Sequence, residues 1–265
     1  MDFAFTDQQL ERYARHIILP ELGGKGQEKL LNSSVLVVGA GGLGSPMLMY
    51  LAAAGVGRIG IVDDDAVDLS NLQRQVIHAT DKVGRPKVES AAEAIAAINP
   101  DVTVEAHALR LDVKNVTELV SRFDIVADGS DNFATRFLLN DACYFARRPL
   151  VSAALLRFEG QVSTFRAYEG DNPCYRCIFP APPPEGMIPT CAEGGVLGAV
   201  AGTVGCMQAT EVIKELTGIG DSLAGRLVVM DALSATFRRI TVKRDPACAL
   251  CGTQPTITDL SHHGE

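Results

Sequence analysis

Ser34-Val35-Leu36-Val37-Val38-Gly39-Ala40-Gly41-Gly42-Leu43-Gly44 is the stretch that decides how this chain folds. A β-branched apolar run predicts a buried strand, and the glycines after it predict a tight turn opening a helix. The small-residue stretch Ser45 to Ala54 supplies that helix, and Gly55-Val56-Gly57 ends it. Arg58-Ile59-Gly60-Ile61-Val62 then predicts a second strand that delivers Asp63. Strand, glycine turn, helix, strand is the βαβ unit that holds nucleotides. The glycines let backbone N–H groups approach a phosphate, and the helix N-terminus adds partial positive charge. Asp63 stands 24 residues past Gly39, where a carboxylate can accept hydrogen bonds from a ribose 2′-hydroxyl. The glycines alone do not say which nucleotide, and such a turn can also stand empty in an α/β sheet.

Outward from this unit the chain keeps alternating. Thr6-Asp7-Gln8-Gln9 fits a capping box and predicts a helix to about His16 that carries Arg12 and Arg15. Gly23-Gly24-Lys25-Gly26 reads as a break before a short helix, Gln27 to Leu31. Lys87 to Ile98 has helical spacing and stops at Asn99-Pro100. Val102 to Ala106 and Phe123 to Asp128 predict strands, Ala134 to Ala146 a helix, and Leu150 to Leu155 a buried strand. Strands alternating with helices predict a Rossmann-like, mostly parallel sheet with helices on both faces. After Gly160 the pattern changes. Gln161 to Tyr168 reads as an antiparallel strand, Leu197 to Leu216 as a long helix, and Gly225 to Asp231 with Thr236 to Lys243 as a hairpin-like pair. The expected organisation is one domain over residues 1–252 and a tail over 253–265. Ser261-His262-His263-Gly264-Glu265 reads as a frayed end.

Composition narrows the function. The 265 residues are 47% hydrophobic and carry a net charge of −8. That charge argues against a nucleic-acid surface, so any bound anion must be met by a few placed cations. No run of 18 apolar residues suggests a membrane span, and the first residues lack the pattern of a signal peptide. A cytoplasmic protein is expected, in which seven cysteines read as thiols or metal ligands rather than disulfides.

Placed cations are present. Arg74 follows Asn71-Leu72-Gln73, and Lys87 follows Gly84-Arg85-Pro86. An Arg and a Lys converging beside a glycine loop suit a polyphosphate, although both could be solvated surface charges. Asp128 and Asp131 flank Gly129-Ser130 at the end of the fourth strand. Carboxylates there suit Mg²⁺ beside phosphate oxygens, while Asp131 could equally cap the following helix. Cys174-x-x-Cys177 and Cys248-x-x-Cys251 make a four-thiolate set suited to tetrahedral Zn²⁺. The 70 intervening residues make such a site a structural clasp between distant segments. Two disulfides or four free thiols are the other readings. Cys191 lies alone on a Pro/Gly-rich stretch, as a nucleophile, a sulfur acceptor or an ordinary loop thiol. Cys143 and Cys206 fall in predicted helices and are expected in the core.

Taken together in this order, Gly39 to Gly44, Asp63, Ser70-Asn71-Leu72-Gln73-Arg74, Gly84-Arg85-Pro86-Lys87, Asp131-Asn132 and the cysteine pairs resemble the MoeB/ThiF adenylyltransferases, bacterial relatives of the ubiquitin-activating enzymes. The resemblance covers about residues 6–252. It implies an ATP site at Gly39, Gly41, Gly42, Gly44, Asp63, Asp65, Asn71, Arg74, Gln75, Lys87, Asp131 and Asn132, with Asp63 on the ribose, Arg74 and Lys87 on the phosphates and Asp131 on Mg²⁺. It implies a homodimer in which Arg15 reaches the neighbouring subunit's ATP. The implied substrate is a small ubiquitin-fold sulfur carrier ending in Gly-Gly, with the molybdopterin branch favoured over the thiamin-thiazole branch. The implied product is an acyl-adenylate, and sulfur would come from a separate sulfurtransferase or cysteine desulfurase, since no fused sulfurtransferase domain is expected. Cys191 matches the family's mobile-loop cysteine. Two other classes are an NAD-dependent oxidoreductase, in which Asn71, Arg74, Lys87 and the clasp would have no task, and a non-catalytic nucleotide scaffold.

Overall fold

The computed structural model describes residues 4–184, 187 and 194–264. Its centre is an eight-stranded sheet. The strands are β1 (Ser34–Val38), β2 (Arg58–Val62), β3 (Thr103–His107), β4 (Ile125–Asp128), β5 (Leu150–Leu156), β6 (Glu159–Phe165), β7 (Arg226–Asp231) and β8 (Thr236–Thr241). They lie in the order β3-β2-β1-β4-β5-β6-β7-β8. The first five are parallel and the last three antiparallel.

The helices are α1 (Asp7–Ile17), α2 (Gly23–Leu31), α3 (Gly44–Ala53), α4 (Lys87–Ile98), α5 (Val116–Ser121), α6 (Phe133–Ala146), α7 (Tyr175–Ile178) and α8 (Gly198–Thr217). Apolar side chains of α2, α3, α4 and α8 build one core layer with Val35, Val37, Ile59 and Ile61. Those of α5 and α6 build the other with Leu36, Val38, Phe123 and Val126. β1 is buried on both faces, which is why it reads as an unbroken apolar run. β8 is exposed along its whole length and closes the sheet at a solvent edge.

Several expectations are corrected. The glycines at 23–26 are the first turn of α2 rather than a break. β6 spans Glu159–Phe165, not 161–168, because Leu156 pairs directly with Glu159 across a short turn. Cys206 is half-buried on α8, whereas Cys143 is in the core as expected. Through Gly264 the tail is docked rather than frayed. Thr256 and Ile257 both donate backbone N–H bonds to the Ala249 carbonyl. A 3₁₀ turn at Ser261–His263 then sets His263 Nε2 2.8 Å and His262 Nε2 3.1 Å from Oδ2 of buried Asp141, which also pairs with Arg176 at 2.7 Å. Burial works to raise the Asp141 pKa, but bonds from His263 and Arg176 outweigh it and hold the carboxyl below its usual value.

Candidate functional site

β2 follows β1 on one side and β4 lies on the other, so the strand order reverses between β1 and β4. Open α/β sheets bind ligands at that crevice, beyond the carboxyl ends of the strands. Here the crevice is formed by the glycine turn after β1 and by Gly129-Ser130 after β4. The two loops touch. Gly39 has φ +93°, and a Cβ there would meet the Gly129 carbonyl oxygen at 2.8 Å; one on Gly44 would meet the Gly39 carbonyl oxygen at 1.8 Å. Backbone crowding therefore requires these two glycines. Gly41 and Gly42 are half-buried and less crowded: a Cβ on Gly41 would stand 3.7 Å from Gln75 Nε2, and one on Gly42 3.3 Å from Ala201 Cβ and 3.5 Å from the Arg74 stem. Gln75 is buried, and its Oε1 has no hydrogen-bond partner among the described residues.

The charged residues expected here gather around the turn. Asp63 Oδ2 accepts from the Ala40 N–H at 2.8 Å and Oδ1 from the Asp65 N–H at 2.9 Å. Burial pushes the Asp63 pKa up, against the opposing pull of Lys87. Lys87 opens α4 and is only 5% exposed; its Nζ lies 2.6 Å from Asp65 Oδ2 and 4.0 Å from Asp63 Oδ1. Arg74 packs its stem against Gly42 and donates from Nη1 to the Ser70 carbonyl, its side chain's one hydrogen bond among the described residues. Asn71 carries the turn that presents Arg74, accepting Arg74 and Gln75 backbone N–H bonds on its carbonyl.

The two aspartates after β4 separate cleanly. Asp128 is fully buried and saturated: it accepts from the Ser130 N–H, the Ser130 hydroxyl and the Ser152 hydroxyl. Asp131 is exposed and makes no hydrogen bond or ion pair among the described residues. It does not cap α6; Asn132 does, through a 2.9 Å bond from the Thr135 N–H. Arg15 stands exposed in the last turn of α1, making no bond to the crevice of its own chain. Cys191 lies outside the described residues.

Three side chains that hold the crevice escaped the sequence reading. Arg136, buried on α6, donates to the Ser130 carbonyl at 2.6 Å and the Ala153 carbonyl at 2.9 Å. Gln208, buried on α8, donates to the carbonyls of Asp128 and Val151. His78 bonds the Ala40 carbonyl and the Ser90 hydroxyl. The available signal was a polar residue interrupting an apolar face, as at Arg136 in α6.

The four cysteines converge as expected. Sγ–Sγ separations are 3.9 Å for Cys174–Cys177, 3.5 Å for Cys174–Cys248, and 3.4 Å for both Cys177–Cys251 and Cys174–Cys251. A disulfide needs about 2.05 Å, so no pair is bonded. Tetrahedral thiolates at about 2.3 Å from a metal would stand about 3.8 Å apart, which the set fits. The clasp joins the loop and short helix after β6 to the turn after β8.

A model of the ThiF family matches residues 13–250. A sulfur carrier protein adenylyltransferase of Thermus thermophilus is 50% identical over 259 residues, covering 97% of this chain and 96% of that protein. The probable adenylyltransferase/sulfurtransferase MoeZ of Mycobacterium tuberculosis is 52% identical over 97% of this chain, which spans 64% of MoeZ's length. The crystal structure of E. coli MccB shares the fold, with a TM-score of 0.81 over 95% of this chain and 75% of that one at 23% identity. The chain belongs to the ThiF family, whose fold it carries. It is an adenylyltransferase, an enzyme that uses ATP.

Proposed function

We propose that this enzyme adenylates the C-terminal carboxylate of a small ubiquitin-fold sulfur carrier ending in Gly-Gly, and that the carrier is the small subunit of molybdopterin synthase. The observation that carries the reading is that Arg74 and Lys87 stand at the glycine turn after β1, and that Asp131, unpaired among the described residues, follows the β4 loop that touches this turn. The name borne by the Thermus relative supports the sulfur-carrier class, and that of the Mycobacterium relative, an adenylyltransferase/sulfurtransferase, supports the link to sulfur transfer.

In this reading the triphosphate lies along Gly41 and Gly42, with Asp63 on the ribose and Arg74 and Lys87 on the phosphates. Asn71, Gln75 and Asn132 complete the pocket. The carrier's carboxylate attacks the α-phosphorus, the bond to the bridging oxygen of pyrophosphate breaks, and an acyl-adenylate and pyrophosphate result. The attacking group is already ionised at neutral pH, so no general base is needed. Its obstacle is repulsion from a polyanion, and fixed cations offset that repulsion where charge develops. Asp131 would hold Mg²⁺, which shields phosphate charge. The four cysteines would hold structural Zn²⁺. Arg15 would serve the neighbouring subunit's site in a homodimer. In the cytoplasm the persulfide of a separate sulfur donor, a sulfurtransferase or cysteine desulfurase, would displace AMP from the adenylate, and a thiol would then cleave the S–S bond reductively, leaving the thiocarboxylate and a disulfide.

ATP–pyrophosphate exchange, measured with purified Gly-Gly-ended carriers one at a time, tests the reading. The expected result is exchange that depends on the molybdopterin-synthase subunit. Exchange with only a different carrier would move the assignment to another branch; none with any carrier would remove it.

A further inference from the structure

His78 has no part in the reaction as derived so far, yet it is buried directly beneath the glycine turn. Its Nε2 lies 2.9 Å from the Ala40 carbonyl oxygen and its Nδ1 2.9 Å from Ser90 Oγ. A carbonyl only accepts, so Nε2 carries the proton, Nδ1 is bare, and the Ser90 hydroxyl donates to it. Burial pushes the His78 pKa down, and this keeps the ring neutral; Lys87 and Asp63 are the charged groups facing it.

Two consequences follow from peptide geometry. The Ala40 carbonyl belongs to the same rigid plane as the Gly41 N–H, and the two point in opposite directions. Fixing that carbonyl toward His78 therefore aims the Gly41 N–H away from it. That N–H donates to no group among the described residues. The Ala40 N–H, on the other side of the same residue, is fixed by Asp63. Ser90 in turn sits in the first turn of α4, which begins at Lys87. A closed ring results: Ala40, Asp63, Lys87, Ser90, His78 and back to Ala40.

We propose that His78 is a positioning residue for the nucleotide's phosphates: it sets the Ala40–Gly41 peptide plane so that the Gly41 N–H faces the triphosphate, and it keeps that donor in register with Lys87. The inference rests on the reading of the crevice as an ATP site, but not on the identity of the carrier.

The test is calorimetric binding of MgATP, and separately of adenosine, to purified wild-type, His78→Gln, His78→Phe and Ser90→Ala proteins without any carrier. His78→Phe keeps the ring shape and removes both bonds; MgATP affinity is expected to fall about tenfold, the scale of one oriented hydrogen bond, with adenosine affinity unchanged. His78→Gln restores an N–H toward Ala40 and is expected to recover to within about threefold of wild type. Ser90→Ala is expected to cost about two- to threefold, and nothing further in the His78→Phe background, because the two act through one link. Wild-type MgATP affinity in His78→Phe, or equal loss of adenosine and MgATP, overturns the inference and leaves His78 as core packing. If His78→Phe does not fold, wild-type affinity in Ser90→Ala, or no recovery in His78→Gln, overturns it. A wild-type protein that binds no MgATP overturns the ATP reading, and this inference with it.

Discussion

The crevice and the cysteine clasp are the two chemically dense regions of this chain, and they differ in how far each is satisfied by the protein itself. In the clasp, each of four sulfurs lies within 3.9 Å of another, and no donor is left over to meet a substrate. In the crevice, among the described residues, Asp131 is unpaired, Gln75 Oε1 has no partner, and Gly41 and Gly42 are free of the backbone crowding that Gly39 and Gly44 meet. The buried, unpartnered Gln75 oxygen needs a reason, and a polar ligand supplies one, whereas Asp131 is a carboxylate kept in water where a cation can reach it. A closed donor set is built to hold the fold, and an open one to bind. The comparison makes separable forecasts for catalysis and stability.

The largest expected effect is catalytic. Arg74→Ala or Asp131→Ala should lower carrier-dependent ATP–pyrophosphate exchange by about 10²–10³-fold, the cost of removing one preorganised charge-stabilising group. Neither side chain is buried in the core, so thermal midpoints should stay within about 2 °C of wild type, as for surface changes elsewhere. Wild-type exchange in folded Asp131→Ala would show that the open carboxylate is not part of the site.

The clasp should respond the other way. Cys248→Ser should reduce bound zinc from one per chain to none. It should also lower the thermal midpoint by roughly 10 °C, since loss of a structural metal belongs to the large class of destabilisations. Metal analysis that finds no zinc in the wild-type protein would end the comparison.

Within the crevice, glycines should divide as their surroundings do. Gly39→Ala forces a side chain into a positive-φ position and against the Gly129 carbonyl at 2.8 Å, with an expected cost of about 2–4 kcal/mol in chemical denaturation. Gly42→Ala, at an ordinary φ, meets side chains rather than backbone at closest approach: Ala201 Cβ at 3.3 Å, which must give by a few tenths of an ångström, and Arg74 carbons at 3.5 and 3.6 Å. It should spare stability while weakening ATP binding. Equal loss of stability in both would mean that Gly42 belongs to the turn's scaffold rather than its open face.

Much of this was legible beforehand, and the reasons are local. The β1 run, the glycine turn and α4, found at Lys87–Ile98 as expected, rest on periodicity and turn chemistry within about a dozen residues. So does the cysteine spacing. What was missed depends on partners far apart in sequence. His78 meets Ala40 across 38 residues, and a lone histidine after Val76-Ile77 reads as core. His263 meets Asp141 across 122 residues, and no pattern in Ser261-His262-His263 announces a docked turn. The Asp128/Asp131 distinction was hidden for the same reason: Ser152, which helps saturate Asp128, comes from the next strand.

That docked tail gives the smallest and sharpest forecast. Asp141 lies on α6, whose other end follows Asp131, and its partner Arg176 lies between Cys174 and Cys177. The tail therefore touches an element of each region. If the two regions are energetically separate, His263→Ala should remove one charge-assisted hydrogen bond to a carboxylate that Arg176 still neutralises. About 1–2 kcal/mol of stability would be lost, with the buried charge left paired. The thermal midpoint should fall by a few degrees, and zinc content and exchange rate should not change. A fall in exchange that tracks tail release would mean that α6 transmits strain from the clasp to Asp131, and the division between a holding region and a binding region would have to be redrawn along that helix.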